Sequence, residues 1–173
     1  MRKNIIAGFT LVEMMVTLLV AAIFLGVAVP SYYSLIQNNK VVAMTNKLAA
    51  SLNYARMEAI RRGQRVSVCA AADAALSSCG AQTQWAQGWI VFVDNNSDNT
   101  IDANDELVKV HESLPRGTTV VASTNIISYD GTGFITSGAA NLNISAANCN
   151  RDNARNLALS TTGHLSVSRV ACP

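Results

Sequence analysis

Residues 9–29 read FTLVEMMVTLLVAAIFLGVAV and hold a single charged side chain, that of Glu13. A helix rises about 1.5 Å per residue, so this run spans roughly 31 Å, the thickness of a bilayer core. A cleaved secretory signal has a shorter apolar region, of roughly 7–15 residues, and a small-residue cleavage site, which is lacking here. The run therefore predicts a transmembrane helix near the amino terminus.

The composition of the whole chain averages two unlike parts. Of 173 residues, 50% are hydrophobic and 14% are charged, whereas about a quarter are charged in soluble domains. Such low charge excludes a disordered chain or a solvated coiled coil. Arg2 and Lys3 supply the net charge of +2, since 11 basic and 11 acidic residues remain without them. The positive-inside rule places these two residues in the cytoplasm and the remainder outside.

Glu13 does not suit an ordinary membrane anchor. A carboxylate within an apolar span is costly and is by default a functional hypothesis. One interpretation pairs it with a positive group on a neighbouring copy of the chain. The alternative is a glutamate near the helix start that extends to the membrane interface.

The helical pattern continues beyond Pro30 but becomes amphipathic. Apolar side chains recur at three- and four-residue steps, which places them on one face: Val41, Met44, Leu48, Leu52, Ala55 and Ala59. Arg61 and Arg62 suit a helix carboxyl end, and Gly63 suits its cap. One helix is therefore predicted over residues 9–62. Its first half faces lipid or other helices, and its second half packs on a globular domain.

From residue 63 onward the pattern predicts strands separated by Gly, Asn and Ser turns. The predicted strands are Arg65–Val68, Gly88–Val93, Glu106–His111, Thr118–Ala122, Asn125–Tyr129, Asn141–Ser145, Asn156–Ser160 and Leu165–Arg169. The last two pair naturally across Thr161-Thr162-Gly163. The fold class is therefore α+β: a long amino-terminal helix, transmembrane in its first half, packed on an antiparallel β-sheet domain over residues 63–173.

The chain contains four cysteines, Cys69, Cys79, Cys149 and Cys172. Outside the cytoplasmic membrane, an even number favours disulfides. Three connectivities are open, and the local one, Cys69–Cys79 with Cys149–Cys172, is preferred here. Metal ligation is the rival interpretation, but no C-x-x-C spacing is present and both histidines lie elsewhere. Free buried thiols are the other alternative.

The loop 94–105 is rich in aspartate and asparagine. Its side-chain oxygens fall at positions 1, 3, 5, 7, 9 and 12 of a calcium loop: Asp94, Asn96, Asp98, Thr100, Asp102 and Asp105. However, Asn99 replaces the usual glycine, Asp105 replaces the usual glutamate, and the flanks are strands rather than helices. Despite these departures, calcium is the one cofactor that the sequence suggests. The alternative is a solvated hairpin loop in which asparagines adopt left-handed turns.

The run Gly8-Phe9-Thr10-Leu11-Val12-Glu13, after a short basic leader, resembles the processing site of type IV prepilins and type II secretion pseudopilins. The resemblance implies that prepilin peptidase cuts after Gly8 and methylates the new terminus, Phe9. The leader is then residues 1–8, and residues 9–29 are the transmembrane segment and filament core. Glu13 matches the family glutamate that pairs with a terminal amine in the growing filament, and Pro30 matches a helix proline.

A second motif is similar to the GspH/FimT branch of that superfamily, which comprises type II secretion H pseudopilins and the FimT and FimU minor pilins. It is Gly88-Trp89-x-Val91-Phe92-x-Asp94, followed by the acidic loop and Asp105-Glu106-Leu107. The resemblance implies a minor pilin or pseudopilin that assembles into, or primes, a type IV pilus or type II secretion pseudopilus. The implied partners are other pilins and the bacterial inner membrane, with the carboxyl-terminal domain in the periplasm.

The alternative function is a DNA-binding tip pilin in natural competence. Some FimT proteins carry a carboxyl-terminal Gly-Arg-x-Arg, but the matching stretch is Gly163-His164-Leu165-Ser166, without either arginine. Arg151, Arg155 and Arg169 lie nearby and are the candidates for phosphate contact. A chain with so little net positive charge otherwise predicts no nucleic-acid partner.

Charge is divided unevenly along the chain. Residues 40–65 carry six basic side chains against Glu58, whereas residues 94–112 carry six acidic ones against Lys109. Opposite patches on one domain suggest side-by-side association of subunits, and the alternative is a solvated helix face. His111 and His164 stand in no nucleophilic arrangement, so the chain is not expected to be an enzyme.

Overall fold

The computed structural model describes residues 9–147, 149 and 151–173. The chain divides into two compact units, of which the first ends at Ile36 and the second runs from Gln37 to Pro173. One helix, α1, covers Leu11–Arg62. It begins two residues after the predicted start because Thr10 is its cap: the Thr10 hydroxyl accepts the backbone N–H of Glu13 at 3.2 Å.

The second half of α1 has the predicted buried face. Its six periodic apolar residues, from Val41 to Ala59, are each at most 4% exposed. Arg62 is the last helical residue, and Gly63 follows with φ +64. The N–H groups of Gly63 and Gln64 both donate to the Ala59 carbonyl, at 2.9 and 3.3 Å. Gly63 therefore ends the helix as predicted, since glycine enters the left-handed region without steric cost.

Eight strands follow, all paired antiparallel. They are β1 (Val66–Ala70), β2 (Trp89–Val93), β3 (Glu106–His111), β4 (Thr118–Ala122), β5 (Ile126–Tyr129), β6 (Ala140–Ala146), β7 (Ala154–Leu159) and β8 (Leu165–Val170). A single 3₁₀ turn, Trp85–Gln87, precedes β2. Every predicted strand is confirmed, with ends shifted by at most two residues.

The strands form two four-stranded sheets, ordered β3-β2-β1-β5 and β4-β6-β7-β8. Strands β7 and β8 form the predicted hairpin, in which Leu159 faces Leu165 across the turn. The division into two sheets was not visible in the sequence. It depends on the pairing of β1 with β5 and of β4 with β6, and each of these pairs is separated by other strands along the chain.

One main core joins the second half of α1 to residues of both sheets, including the buried Trp89 and Tyr129, and to Trp85 of the 3₁₀ turn. A smaller cluster of Cys69, Ala71, Ile90 and Phe92 covers alternate positions of β1 and β2. These two strands are therefore buried throughout, which explains why β2 reads as a continuous apolar run. Ile101 packs against the smaller cluster and anchors the acidic loop there.

Candidate functional site

The first half of α1 exposes nearly all of its apolar side chains. Leu18 and Phe24, for example, are 65% and 71% exposed. The segment is long and apolar enough to cross a membrane, and none of it is buried within the chain. A contiguous apolar surface of this size marks a site that contacts lipid or another protein.

Glu13 lies in the first turn of α1, where a carboxylate interacts favourably with the helix dipole. No described side chain forms an ion pair with it. The spacing Thr10-x-x-Glu13 is also that of a capping box, a helix-start signal that the sequence analysis did not use. Gly8, on the amino side of the predicted cleavage point, lies outside the described residues, whereas Phe9 is described and exposed.

The other end of α1 is held by ion pairs within the chain. Glu58 contacts Arg61 at 2.6 Å and Arg62 at 2.8 Å, and Arg62 also contacts Glu106 of β3 at 2.6 Å. Hydrogen bonds from Arg61 and Arg62 lower the pKa of Glu58 from 4.5 to about 2. The hydrogen bond from Arg62 likewise lowers the pKa of Glu106.

These pairs change the interpretation of the two charge patches. The sequence left two interpretations of these patches open, association between subunits and a solvated helix face. Instead, Arg62 and Arg65 reach the acidic segment of their own chain, Arg65 through the Ser97 carbonyl at 3.0 Å and Asp94 at 3.9 Å. Two of the six basic side chains of residues 40–65 thus contact the acidic segment within the same chain.

The acidic loop between β2 and β3 brings together three of the six predicted calcium ligands. Side-chain oxygens of Asp94, Asp98 and Asp105 lie within 4.8 Å of one another. The other three make local hydrogen bonds instead. The Asn96 amide donates to Asp98 at 2.9 Å, the Thr100 hydroxyl donates to Asp98 at 2.7 Å, and the Asp102 carboxylate accepts the Asn104 N–H at 2.7 Å.

The backbone of this loop follows the predicted turns. Ser97 and Asn99 both have positive φ, +61 and +63, which asparagine tolerates better than most residues. Hydrogen bonds from the Thr100 hydroxyl and N–H lower the pKa of Asp98. Asp105 accepts the backbone N–H groups of Asn95 and Asp102, both at 3.0 Å. The carboxylates are therefore held in place by the loop itself.

The structure contains two disulfides, Cys69–Cys79 and Cys149–Cys172, which is the local pairing preferred from the sequence. They close segments whose ends are 10 and 23 residues apart. The second joins the segment before β7 to the carboxyl end, where Cys172 also donates its N–H to the Arg151 carbonyl at 2.9 Å.

The three arginines considered for DNA contact do not form one exposed group. Arg151 and Arg169 are exposed, but Arg155 is only 6% exposed. Its guanidinium donates to the Ala154 carbonyl at 3.0 Å and to the Asn38 side chain at 2.9 Å, and burial lowers its pKa. Arg155 therefore stabilises the domain and is unavailable to a phosphate, which corrects the expectation for this residue.

The two histidines take structural positions. The His111 ring in β3 stacks on Trp89 at 4.0 Å between centroids. Its Nδ1 lies 2.8 Å from the Glu112 carbonyl. His164 is exposed beside the β7–β8 turn. Neither histidine is hydrogen-bonded to a cysteine, serine or carboxylate side chain among the residues that the structure covers.

Similarity to known proteins bears on both halves of the chain. Residues 44–163 match the family described as Type II transport protein GspH, and residues 3–29 match the prokaryotic N-terminal methylation motif. A curated relative, the pilin-like protein PilA1 of Thermus thermophilus, is 29% identical over 106 residues. The matched region covers 60% of this chain and 58% of that protein.

Two solved structures have the same fold. The type IV minor pilin FimU of Pseudomonas aeruginosa matches with a TM-score of 0.59 at 19% identity, over 75% of this chain and 89% of its own. The minor pseudopilin EpsH from the type 2 secretion system of Vibrio cholerae matches with a TM-score of 0.53 at 14% identity, over 75% and 97%. Both confirm the predicted α+β pilin-like architecture.

The matched family is described as a transport protein and not as an enzyme, which agrees with the expectation from the sequence. The GspH profile covers well over half of the chain, and the methylation motif covers the segment that precedes it. The chain therefore belongs to the GspH family and is a type IV pilin-like protein of the GspH/FimT group.

Proposed function

We propose that this chain is a minor subunit that assembles into, or primes, a type IV pilus or a type II secretion pseudopilus. The carrying observation is the first half of α1, whose apolar side chains are exposed throughout in a member of the GspH family. Such a surface requires apolar surroundings. Lipid supplies them before assembly, and the helices of other subunits supply them in the filament.

The proposed route begins in the inner membrane. Residues 9–29 span the bilayer once, with Arg2 and Lys3 in the cytoplasm and the carboxyl-terminal domain in the periplasm. Prepilin peptidase then cuts between Gly8 and Phe9 and methylates Phe9. Mass spectrometry of the mature chain is expected to find Phe9 at the terminus, carrying one added methyl group. A mature chain that retains residues 1–8 would contradict this step.

Glu13 gives the assembly step its specificity. No described side chain neutralises its carboxylate, and an isolated charge in an apolar setting is costly. An amine at the terminus of a neighbouring subunit supplies the missing positive charge when the helices dock. The pair then forms only in the assembled state, so that it favours filament over membrane.

Assembly is tested with Glu13→Ala and Glu13→Gln in the full chain. Both variants are expected to be processed normally but to reach the sheared filament fraction about tenfold less, because an unpaired terminal amine is then left in apolar surroundings. Thr17→Ala, one turn along the same helix, is the matched control and should assemble as the wild type does. Normal incorporation of both Glu13 variants into filaments would contradict the proposed pairing of Glu13 with a terminal amine.

DNA capture at the filament tip is the second candidate, and the structure offers it little support. Of the arginines considered, only Arg151 and Arg169 are exposed, and phosphate contact needs clustered cations. We expect no retardation of duplex DNA by the detergent-solubilised full chain at about 150 mM salt. Retardation that Arg151→Ala with Arg169→Ala abolishes would restore the DNA-binding function.

A further inference from the structure

We propose that the loop between β2 and β3 binds a calcium ion through the carboxylates of Asp94, Asp98 and Asp105. Their side-chain oxygens already lie within 4.8 Å of one another, close enough to share one ion. In chain order they occupy positions 1, 5 and 12 of the spacing found in calcium loops. This site is separate from the assembly helix.

The independent observation is an orphaned buried atom. Asp94 is 2% exposed, and its Oδ1 receives no hydrogen bond from any described residue. Leaving a buried acceptor unsatisfied is costly, and the cost is larger for a charged group. Asp94 belongs to the same three-carboxylate group, so an ion held there would satisfy this oxygen.

The groups around Asp94 do not satisfy its Oδ1 atom. Contacts to Asp94 converge on the other oxygen, Oδ2: the Ser67 hydroxyl at 3.4 Å, the Asn99 N–H at 3.3 Å and the Arg65 guanidinium at 3.9 Å. Arg65 is also committed elsewhere, since it donates to the Ser97 carbonyl and the Thr136 hydroxyl at 3.0 and 2.9 Å. Asp94 Oδ1 is thus left without a hydrogen-bond partner among the described residues, and the nearest cation, Arg65, approaches the carboxylate through Oδ2.

The negative charge and the irregular backbone of the loop favour a divalent cation that accepts varied coordination geometry. Three carboxylates place three negative charges at one point, and Asp102 and Glu106 lie in the same segment. All the available ligands are oxygens, which suit calcium and magnesium better than zinc. Magnesium demands near-ideal octahedral geometry, whereas calcium accepts six to eight oxygens at varied positions. The irregular loop backbone, with two left-handed residues, suits calcium better.

Because the loop is attached to the folded core, calcium binding should be measurable as an increase in the thermal stability of the chain. Ile101 anchors the loop on the cluster that contains Cys69 and Phe92, and Asp94 directly follows the buried strand β2. An ion bound only by the folded chain raises its stability by mass action. For a dissociation constant of about 1 mM, about 10 mM calcium should raise the melting temperature by roughly 3–6 °C.

The test measures thermal unfolding of the full chain in detergent, stripped with a chelator and then titrated with calcium chloride or magnesium chloride. Calcium is expected to raise the melting temperature and magnesium to raise it much less. No shift at about 10 mM calcium, or an equal shift with magnesium, would overturn the proposal. Isothermal titration calorimetry with calcium chloride reads the same binding directly.

The variant Asp98→Asn distinguishes calcium binding at this site from a general screening of charge by the added salt. Asp98 is exposed, so the variant should fold. Without calcium it is expected to melt close to the wild-type temperature, because the relief of repulsion among the carboxylates offsets the weakened hydrogen bonds from Thr100. With calcium its shift should be at least fivefold smaller. Asp152→Asn, which neutralises an exposed carboxylate outside the loop, is the matched control and keeps the full shift. An undiminished calcium shift in Asp98→Asn would refute the site.

Discussion

Leu18 and Leu52 lie on the same helix, yet Leu18 is 65% exposed and Leu52 is completely buried. The same contrast holds along the two halves of α1. The first half is apolar around its whole circumference, and the second is apolar on one face. A helix that is apolar all round needs apolar surroundings on every side, whereas a single apolar face is satisfied by one domain.

The charged residues of α1 follow the same division. Glu13 has no ion-pair partner among the described residues, whereas Glu58 contacts two arginines within its own chain. The ion-pair partners of the second half thus lie in the same chain. Those of the first half are other molecules. This difference separates the part of α1 that stabilises the domain from the part that is left for assembly.

The largest expected effect comes from truncating one leucine in each half. Leu52→Ala should lower the free energy of unfolding by about 2–5 kcal/mol, because it leaves a cavity in the main core. Leu18→Ala should change it by less than about 0.5 kcal/mol, since the Leu18 side chain is largely exposed. Urea unfolding of the full chain in detergent, followed by the fluorescence of the buried Trp85 and Trp89, measures both.

Equal losses of unfolding free energy in the two variants would mean that the first half also contributes to the stability of the domain. Leu18→Ala has its expected effect elsewhere, in the fraction of chain recovered in filaments.

A smaller effect is expected from the two glutamates. Arg61 and Arg62 lower the pKa of Glu58 from 4.5 to about 2, so its stabilising contribution is present above about pH 5 and is lost as the pH falls towards 2. Glu58→Gln should therefore lower the urea midpoint near pH 7, and its difference from the wild type should shrink as the pH falls to about 2.

Glu13→Gln is the matched control for this pH series, since Glu13 has no described ion pair to lose. Its unfolding midpoint should follow that of the wild type at every pH. A Glu58→Gln difference that stays constant between about pH 5 and 2 would show that the ion pairs do not stabilise the fold.

Most of the fold could be predicted because its signals are local. The spacing of Val41, Met44 and Leu48 indicates the buried face of α1 directly, and Gly63 indicates its end. The strands were recognisable from apolar runs and turn residues. The processing motif and the Trp89 region were recognisable as short patterns, and the family match agrees with both.

The candidate sites were predicted less completely, because their geometry depends on residues that are far apart in sequence. Spacing indicated six calcium ligands, but the folded loop brings together only three carboxylates and spends the other side chains on its own hydrogen bonds. Arg155 looked available for DNA, but its hydrogen bond to Asn38 joins residues 117 positions apart. No local pattern signals such a contact.

The long helix, its apolar first half with Glu13, the eight strands and the family could all be predicted from the residues alone. These features depend on the period and length of apolar runs, which the backbone geometry of helices and strands converts directly into structure. The folded structure was needed to show that the strands form two sheets, that Arg62 and Arg65 contact Glu106 and Asp94 of their own chain, and that Asp94 is buried with one oxygen unsatisfied. Those outcomes depend on which distant residues meet and exclude water, and that is settled only when the whole core forms.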